Sequence, residues 1–277
     1  MTEPSPPILR AAGITFGFGR GPDFLRSIQL DVAPGQCWGI IGPNGAGKST
    51  LLRLLAGLIA PRSGNVHFDG APLGEQPLRS RARRIAFLPQ GPPRDLPILA
   101  REVVLMGRYP HRRLGLFESA ADYAIADRAM ATTHTTDLAD RPLLALSGGE
   151  AQRIHIAACL AQEPAVMLLD EPTASLDLYH QLSIFTILRH LTDGGRIAVV
   201  VVTHDLNLAA RFCTHVLLLD EGVAVASGGP AEVIRPERLE AVYEVRLSVA
   251  EAAGGLGRWI VAVEPRRENT APDRGPR

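Results

Sequence analysis

The segment that most constrains this chain is Gly42-Pro43-Asn44-Gly45-Ala46-Gly47-Lys48-Ser49, set between the apolar run Cys37-Trp38-Gly39-Ile40-Ile41 and the leucine-rich stretch Thr50-Leu51-Leu52-Arg53-Leu54-Leu55. It fits G-x-x-x-x-G-K-S at every fixed position. The run before it reads as a short buried strand, and the leucines after it recur at helical spacing and stop at Gly57, so strand, glycine loop and helix follow in order. Glycines in such a loop let successive backbone N–H groups turn inward around a polyphosphate, and the helix N-terminus adds its positive dipole end. Lys48 would reach the outer phosphates and the Ser49 hydroxyl would ligate Mg²⁺. Composition sharpens the point, because Lys48 is the only lysine among 29 basic residues. An ammonium is a compact point donor and a guanidinium a broad planar fork, so a site closed tightly around phosphates can hold Lys and exclude Arg.

The rest of the chain places this loop in a larger plan. Residues 8–41 alternate apolar segments with glycine and proline turns, and Val66-His67-Phe68 before Asp69-Gly70 continues the pattern, which predicts antiparallel strands. Arg84-Ile85-Ala86-Phe87-Leu88 is a further strand. From Leu99 to Ala161 the pattern turns helical, an insert whose last helix is expected over Ala151–Gln162. Three short continuous apolar runs follow, Val166–Leu169, Ile197–Val202 and Val216–Leu219, as expected of parallel strands buried on both faces. The class is α/β.

Two further constellations carry chemistry. Asp170-Glu171 ends the first of those strands, where ligands sit on open α/β sheets. Asp170 would hold Mg²⁺, and Glu171, directed elsewhere, would polarise the water that attacks a γ-phosphate. Leu146-Ser147-Gly148-Gly149-Glu150 opens a helix with a serine and two glycines, a second anion-binding helix start. Its plain alternative is a serine N-cap with a nearby glutamate. Two phosphate cradles on one chain suggest two chains sharing one nucleotide.

The formal net charge is zero, which leaves no global basic field and argues against nucleic acid as a partner. No apolar run nears the roughly 20 residues of a membrane helix, and Met1–Pro7 lacks a signal-peptide core, so the chain is expected to be neither integral to a membrane nor secreted. Cys37, Cys159 and Cys213 lack close pairing and sit in apolar contexts, which fits reduced buried thiols. His67, His111, His134, His155, His180, His190 and His215 show no ligand spacing and are expected at the surface or as caps.

The phosphate loop, Leu146–Glu150, Asp170-Glu171-Pro172-Thr173, Ser175-Leu176-Asp177 and Thr203-His204-Asp205 stand in the order and approximate spacing of an ATP-binding cassette ATPase, which the chain resembles over about residues 8–245. The resemblance implies a P-loop NTPase core of mostly parallel sheet with an antiparallel β subdomain and an inserted helical subdomain. It divides residues 1–264 into core (about 8–90 and 163–235), helical insert with the signature motif (about 91–162) and C-terminal extension (about 236–264), with 265–277 a disordered tail. It implies ATP and Mg²⁺ as cofactors and a head-to-tail dimer. In that dimer each ATP lies between Gly42, Pro43, Asn44, Gly45, Ala46, Gly47, Lys48, Ser49 and Thr50 of one copy and Ser147, Gly148, Gly149 and Glu150 of the other. Gln90 becomes the glutamine that senses Mg²⁺ and γ-phosphate, alongside Ser49 and Asp170 as metal-binding residues. His204 becomes the switch histidine, Asp177 a link across the dimer, and Phe18, ahead of Phe16, the aromatic that stacks on adenine. Glu171, His204 and Lys48 are the implied catalytic set.

Gly107-Arg108-Tyr109-Pro110-His111, Asp177-Leu178-Tyr179-His180-Gln181 and His204-Asp205-Leu206-Asn207-Leu208-Ala209 resemble the branch that imports iron–siderophore complexes, haem and cobalamin. That branch has Tyr-Gly where this chain has Tyr243-Glu244. The expected setting is peripheral, on the cytoplasmic face of the inner (plasma) membrane, with an integral permease as partner and an extracytoplasmic substrate-binding protein acting indirectly. Arg94, Arg101, Arg108, Arg112, Arg113, Tyr109, Leu114, Leu116 and Phe117 are the expected docking surface. The alternatives are a soluble cassette ATPase acting on nucleic acid or ribosomes, an importer ATPase for a different small substrate, and a phosphotransferase on the same loop, which would leave Leu146–Glu150 unexplained.

Overall fold

The computed structural model describes residues 6–112, 118–251 and 258–265. Three strands read from the sequence lie close to where alternation placed them: β1 (Leu9–Phe16), β2 (Leu25–Val32) and β3 (Cys37–Ile41). The glycine loop leads into α1 (Lys48–Leu55), followed by β4 (Ser63–Phe68), β5 (Ala71–Pro72), α2 (Leu78–Arg84) and β6 (Ile85–Leu88). The helical insert holds α3 (Ala100–Met106), α4 (Ala120–Thr132) and α5 (Gly148–Ala161). Then come β7 (Val166–Asp170), α6 (Leu178–Asp193), β8 (Ala198–Val202), α7 (Leu206–Phe212), β9 (His215–Asp220), β10 (Val223–Gly228), α8 (Pro230–Val233), α9 (Pro236–Tyr243), β11 (Val245–Glu251) and β12 (Arg258–Pro265).

The main sheet runs β10-β9-β3-β8-β7-β6, parallel except for β10, which pairs antiparallel with β9. Every residue of β3, β7 and β8 is buried, the two-faced burial that makes parallel strands read as unbroken apolar runs. A second, antiparallel sheet, β2-β1-β4-β5, covers one face, with α1 in the layer between. On the other face pack α6, α7, α9 and the inner side of α5. The outer side of α5 builds a separate small core with α3 and α4, so one helix joins insert to sheet. The C-terminal hairpin β11–β12 was not read from the sequence.

Three expectations shift. Helix α5 starts at Gly148 rather than Ala151, which puts both signature glycines in its first turn. Pro265 ends β12 rather than opening a tail; residues 266–277, and Arg113, Leu114, Leu116 and Phe117 of the expected docking surface, lie outside the described residues. Arg108 is not a surface group. It is 5 % exposed and donates to Asp122 Oδ1 at 2.9 Å, the Ala161 carbonyl at 2.7 Å and Glu163 Oε2 at 2.8 Å. Three oxygen acceptors, two of them carboxylates, take bonds from the guanidinium's Nε and Nη1, which offsets the cost of burying the charge.

Candidate active site

The loop after β3 is shaped by its glycines. Gly42 has φ 146° and Gly47 has φ 101°, conformations open to glycine at little cost. A Cβ on Gly42 would stand 2.0 Å from the Leu219 carbonyl oxygen, and one on Gly47 would stand 2.5 Å from Leu25 Cδ2. The loop is thereby pressed against β9 and β2, and the Ala46 amide closes it on the Pro43 carbonyl at 3.3 Å. Lys48, the first residue of α1, is 5 % exposed. Its Nζ donates to the Gly42 and Pro43 carbonyls, each at 2.8 Å. Burial lowers its pKa, opposed by the nearby Glu171 and Asp170 charges. Because these bonds go to carbonyls rather than to a carboxylate, the ammonium charge is left for an incoming anion.

The end of β7 faces this loop. Ser49 Oγ donates to Asp170 Oδ1 at 2.8 Å, and Asp170 is 1 % exposed. Its pKa is raised by burial and by neighbouring Glu171, against the lowering effect of the Ser49 hydrogen bond. Glu171 takes a left-handed backbone, φ 48°, and so diverges from the strand. Its carboxylate accepts from Gln90 Nε2 at 2.8 Å and from His204 Nε2 at 2.5 Å. Thr203, beyond the end of β8, donates its N–H to the Ile40 carbonyl, and Asp205 caps α7 through the Asn207 and Leu208 amides. These bonds hold the histidine opposite the carboxylate.

The structure thus brings Lys48, Ser49, Gln90, Asp170, Glu171 and His204 together. Ser147–Glu150 and Asp177 make none of these bonds. At the start of α5 the serine is a genuine cap, since Ser147 Oγ accepts from the Glu150 amide and Glu150 Oε2 accepts from the Ser147 amide. That bond lowers the Glu150 pKa. The plain reading of this motif, a serine N-cap with a nearby glutamate, is therefore present, and the cap uses neither glycine amide. Asp177 caps α6 by accepting from the His180 amide at 2.9 Å. Phe18 is 60 % exposed and propped by Phe16 and Phe24 at ring separations of 5.0 and 5.3 Å. It is a presented ring rather than a core residue, whereas Phe16 packs on the core.

The histidines set aside as surface or capping groups are not all so. His155 Nε2 bonds the Pro93 carbonyl at 2.9 Å and its pKa is lowered by burial, which pins the segment after Gln90 to α5. His215 stacks on Trp38 at 4.8 Å. These contacts make His155 and His215 part of the packing; among the described residues no group of three or more His, Cys, Asp or Glu could hold a metal. Tyr243, of the Tyr243-Glu244 pair noted in the sequence, ends α9 with its phenol beside the Gly42 amide, its pKa pushed up to about 12 by burial. Glu244 then adopts φ 55°, the left-handed helix end where glycine is ordinarily found.

The sheet order, the loop and the layering define a P-loop NTPase cassette. A chain from a transporter described as of the metal-chelate ABC type, in an inward-facing conformation, superposes with TM-score 0.80 and 28 % identity over 93 % of this chain and 97 % of that one. A dimeric bacterial ABC transporter cassette gives 0.70 and 28 % over 80 % and 98 %. The family model for ABC transporters matches residues 25–174. The chain is 40 % identical over 253 residues to the cobalamin import ATP-binding protein BtuD of Halobacterium salinarum, covering 91 % of this chain but 63 % of that longer relative. It is 43 % identical over 232 residues to the hemin import ATP-binding protein HmuV of Pseudomonas entomophila, 82 % of this chain and 89 % of that one. With the ferric enterobactin transport ATP-binding protein FepC of Escherichia coli it shares 39 % over 251 residues, 91 % and 92 % of the two chains. The chain belongs to the ABC transporter family, and it spans under two thirds of the length of the cobalamin import relative.

Proposed function

We propose that the chain is the nucleotide-binding subunit of an importer, using ATP hydrolysis to drive uptake of a metal chelate (an iron–siderophore complex, haem or cobalamin) through a separate membrane permease. The cargo class rests on the likeness to import ATPases for cobalamin, hemin and ferric enterobactin. The chemistry rests on one observation: Glu171 is held by Gln90 and His204 beside the Ser49–Asp170 pair. Among the described residues no helix is long and apolar enough to cross a membrane. In this reading, which rests on the likeness to import ATPases, a partner spans the membrane and the subunit sits at its cytoplasmic face. A substrate-binding protein outside the membrane would deliver the cargo to that permease.

In this reading Phe18 stacks on adenine, Gly42–Thr50 cradle the phosphates and Lys48 turns from its loop carbonyls to the β- and γ-phosphates. The buried hydroxyl–carboxylate pair Ser49–Asp170 is an oxygen donor set suited to a hard cation, and with Gln90 it would hold Mg²⁺. That ion, when bound, offsets phosphate charge. Glu171 orients and polarises the water whose oxygen bonds to the γ-phosphorus as the β–γ bridging bond breaks to give ADP and phosphate, and it takes up the water's proton. His204 steadies Glu171 and meets the γ-phosphate. A second copy supplies Ser147, Gly148, Gly149 and Glu150 over the same nucleotide, and Asp177 lies at the joint between copies.

The variant Glu171→Gln tests this reading. It is expected to bind ATP as the parent does while hydrolysis falls at least about 10²-fold, the scale of a lost general base. ATP-bound dimers should then accumulate, seen as an earlier size-exclusion peak. Near-parental turnover with the permease present would remove Glu171 from the role.

A further inference from the structure

The second signature glycine, Gly149, is covered within its own chain. A Cβ on Gly149 would lie 2.2 Å from His180 Cγ and 2.4 Å from both Cδ2 and Nδ1, so the imidazole occupies the volume that any other residue would claim. Such approaches are essentially absent from real structures. Gly149 is buried, although it stands in the first turn of α5. One helical turn on, on the same face, Arg153 brings Nη1 to 3.2 Å from His180 Nδ1. His180 itself belongs to the first turn of α6, where its amide donates to the Asp177 cap. Leu176, just before that cap, lies beside Gly148. A single imidazole therefore joins the start of α6, beside the segment Ser175-Leu176-Asp177, to the start of α5.

We propose that His180 is a positioning residue: its ring, seated on Gly149 and tethered to Arg153, fixes the α5 N-terminus relative to Asp177, so that both present themselves together to the second copy's nucleotide. This rests on the dimer reading above. A ring on the flank of a helix start leaves the axial direction open, which is where the Gly148 and Gly149 amides point and where an anion is bound. The packing also gives Gly149 a reason to be glycine besides the approach of phosphate. The side chain at 149 and the ring at 180 compete for one volume, so their effects must be coupled.

The experiment uses the full chain carrying Glu171→Gln, with ATP-driven dimerisation read by size exclusion, and the same substitutions in the unaltered chain, with turnover read at saturating ATP. His180→Ala is expected to leave the melting temperature and monomer nucleotide affinity near the parent's while weakening dimerisation and lowering turnover about tenfold, the order of one mispositioned group. His180→Gln, which can still reach Arg153, should recover most of the loss. Gly149→Ala should be more damaging with His180 present than in the His180→Ala background. Parental dimerisation and turnover in His180→Ala, or equal damage from Gly149→Ala in both backgrounds, would overturn the proposal. Loss of melting temperature in step with turnover, unrelieved by His180→Gln, would reduce the residue to a packing role and overturn it too. A Glu171→Gln parent that stays monomeric with ATP would overturn the dimer reading itself and this inference with it, whereas a dimerising parent with an indifferent His180→Ala condemns the inference alone.

Discussion

Lys48 combines three properties seldom found together: it is the chain's only lysine, it is nearly fully buried, and its ammonium is bonded only to carbonyls. Burial favours loss of the proton and the facing carboxylates favour keeping it, so the charge is held ready while its partners remain weak and exchangeable. A guanidinium there would keep the charge but could not fit as a point donor between Gly42 and Pro43. Lys48→Arg is therefore expected to misplace the phosphates and lower turnover about 10²-fold, the penalty of roughly 1 Å of misalignment, with melting temperature little changed. Parental turnover in steady-state assays would mean that the lone lysine is an accident of composition. Most of this site could be read in the sequence because each member sits in a short local pattern: glycine loop, strand-end Asp170-Glu171, Thr203-His204-Asp205. What escaped were partners decided by folding. Cys37 and Cys213 read as unrelated, yet β3 and the end of α7 bring their sulfurs to 4.0 Å as free thiols. His180 read as a surface group because nothing near it in sequence announces Gly149.

Among the elements, the helical insert depends on one side chain. Arg108 follows α3, reaches the first turn of α4 through Asp122 and accompanies the end of α5 through Ala161 and Glu163, so three helices converge on a guanidinium that the sequence offered as docking surface. Basic residues crowd this stretch, and a charge cluster usually means a solvated face; no local pattern separates the buried member from the exposed ones. Arg108→Met should destabilise the insert by about 3 kcal/mol, since removing one partner of a buried pair leaves the other uncompensated, measurable as an earlier chemical-unfolding midpoint. Asp122 adds a pH signature. Its pKa is lowered from 3.8 to about 2, first by the Ser119 hydroxyl and then by Arg108. A depressed folded-state value means stability that is fully present above the unfolded value of 3.8 and lost as pH falls through about 2. Asp122→Asn should erase that part of the acid slope while shifting the neutral-pH midpoint in the direction of Arg108→Met. An unchanged acid slope would place the bond's effect elsewhere. The hairpin β11–β12 escaped the sequence reading for a different reason. Its attachment is tertiary, with Asn207 accepting from the Ile260 amide and donating to its carbonyl, and the sequence reading passed over the turn signal Gly254-Gly255-Leu256-Gly257 between its strands.

For the molecule as a whole, the question is where movement at the nucleotide leaves the chain. Gln90 holds Glu171 at one end of the crossing into the insert, and three residues further His155 of α5 grips the Pro93 carbonyl. If Glu171 acts as proposed, any displacement of its carboxylate would be handed to α5 and, through the shared core of α3, α4 and α5, to the outer face of the insert. That face carries a groove of about 640 Å³ between α3 and α4, lined by Leu105, Met106, Tyr109 and Tyr123 together with Glu102 and the Arg112–Glu118 ion pair. Met106, Tyr109 and Tyr123 are 55 %, 73 % and 43 % exposed. Apolar groups beside charged ones mark a partner surface, and under the proposed function the occupant would be a short cytoplasmic helix of the permease. With Arg108 committed to the interior, Met106 and Tyr109 would carry the proposed contact. Met106→Cys and Tyr109→Cys should therefore cross-link to cysteines placed in the permease's cytoplasmic loops. Tyr109→Glu should reduce transport about tenfold or more, as loss of a buried aromatic anchor costs an interface about 2 kcal/mol, while ATP binding by the isolated subunit stays at the parental level. Cross-links that form only from β12, with transport indifferent to charge at Tyr109, would move the permease contact to the C-terminal hairpin and leave the α3–α4 groove without this role.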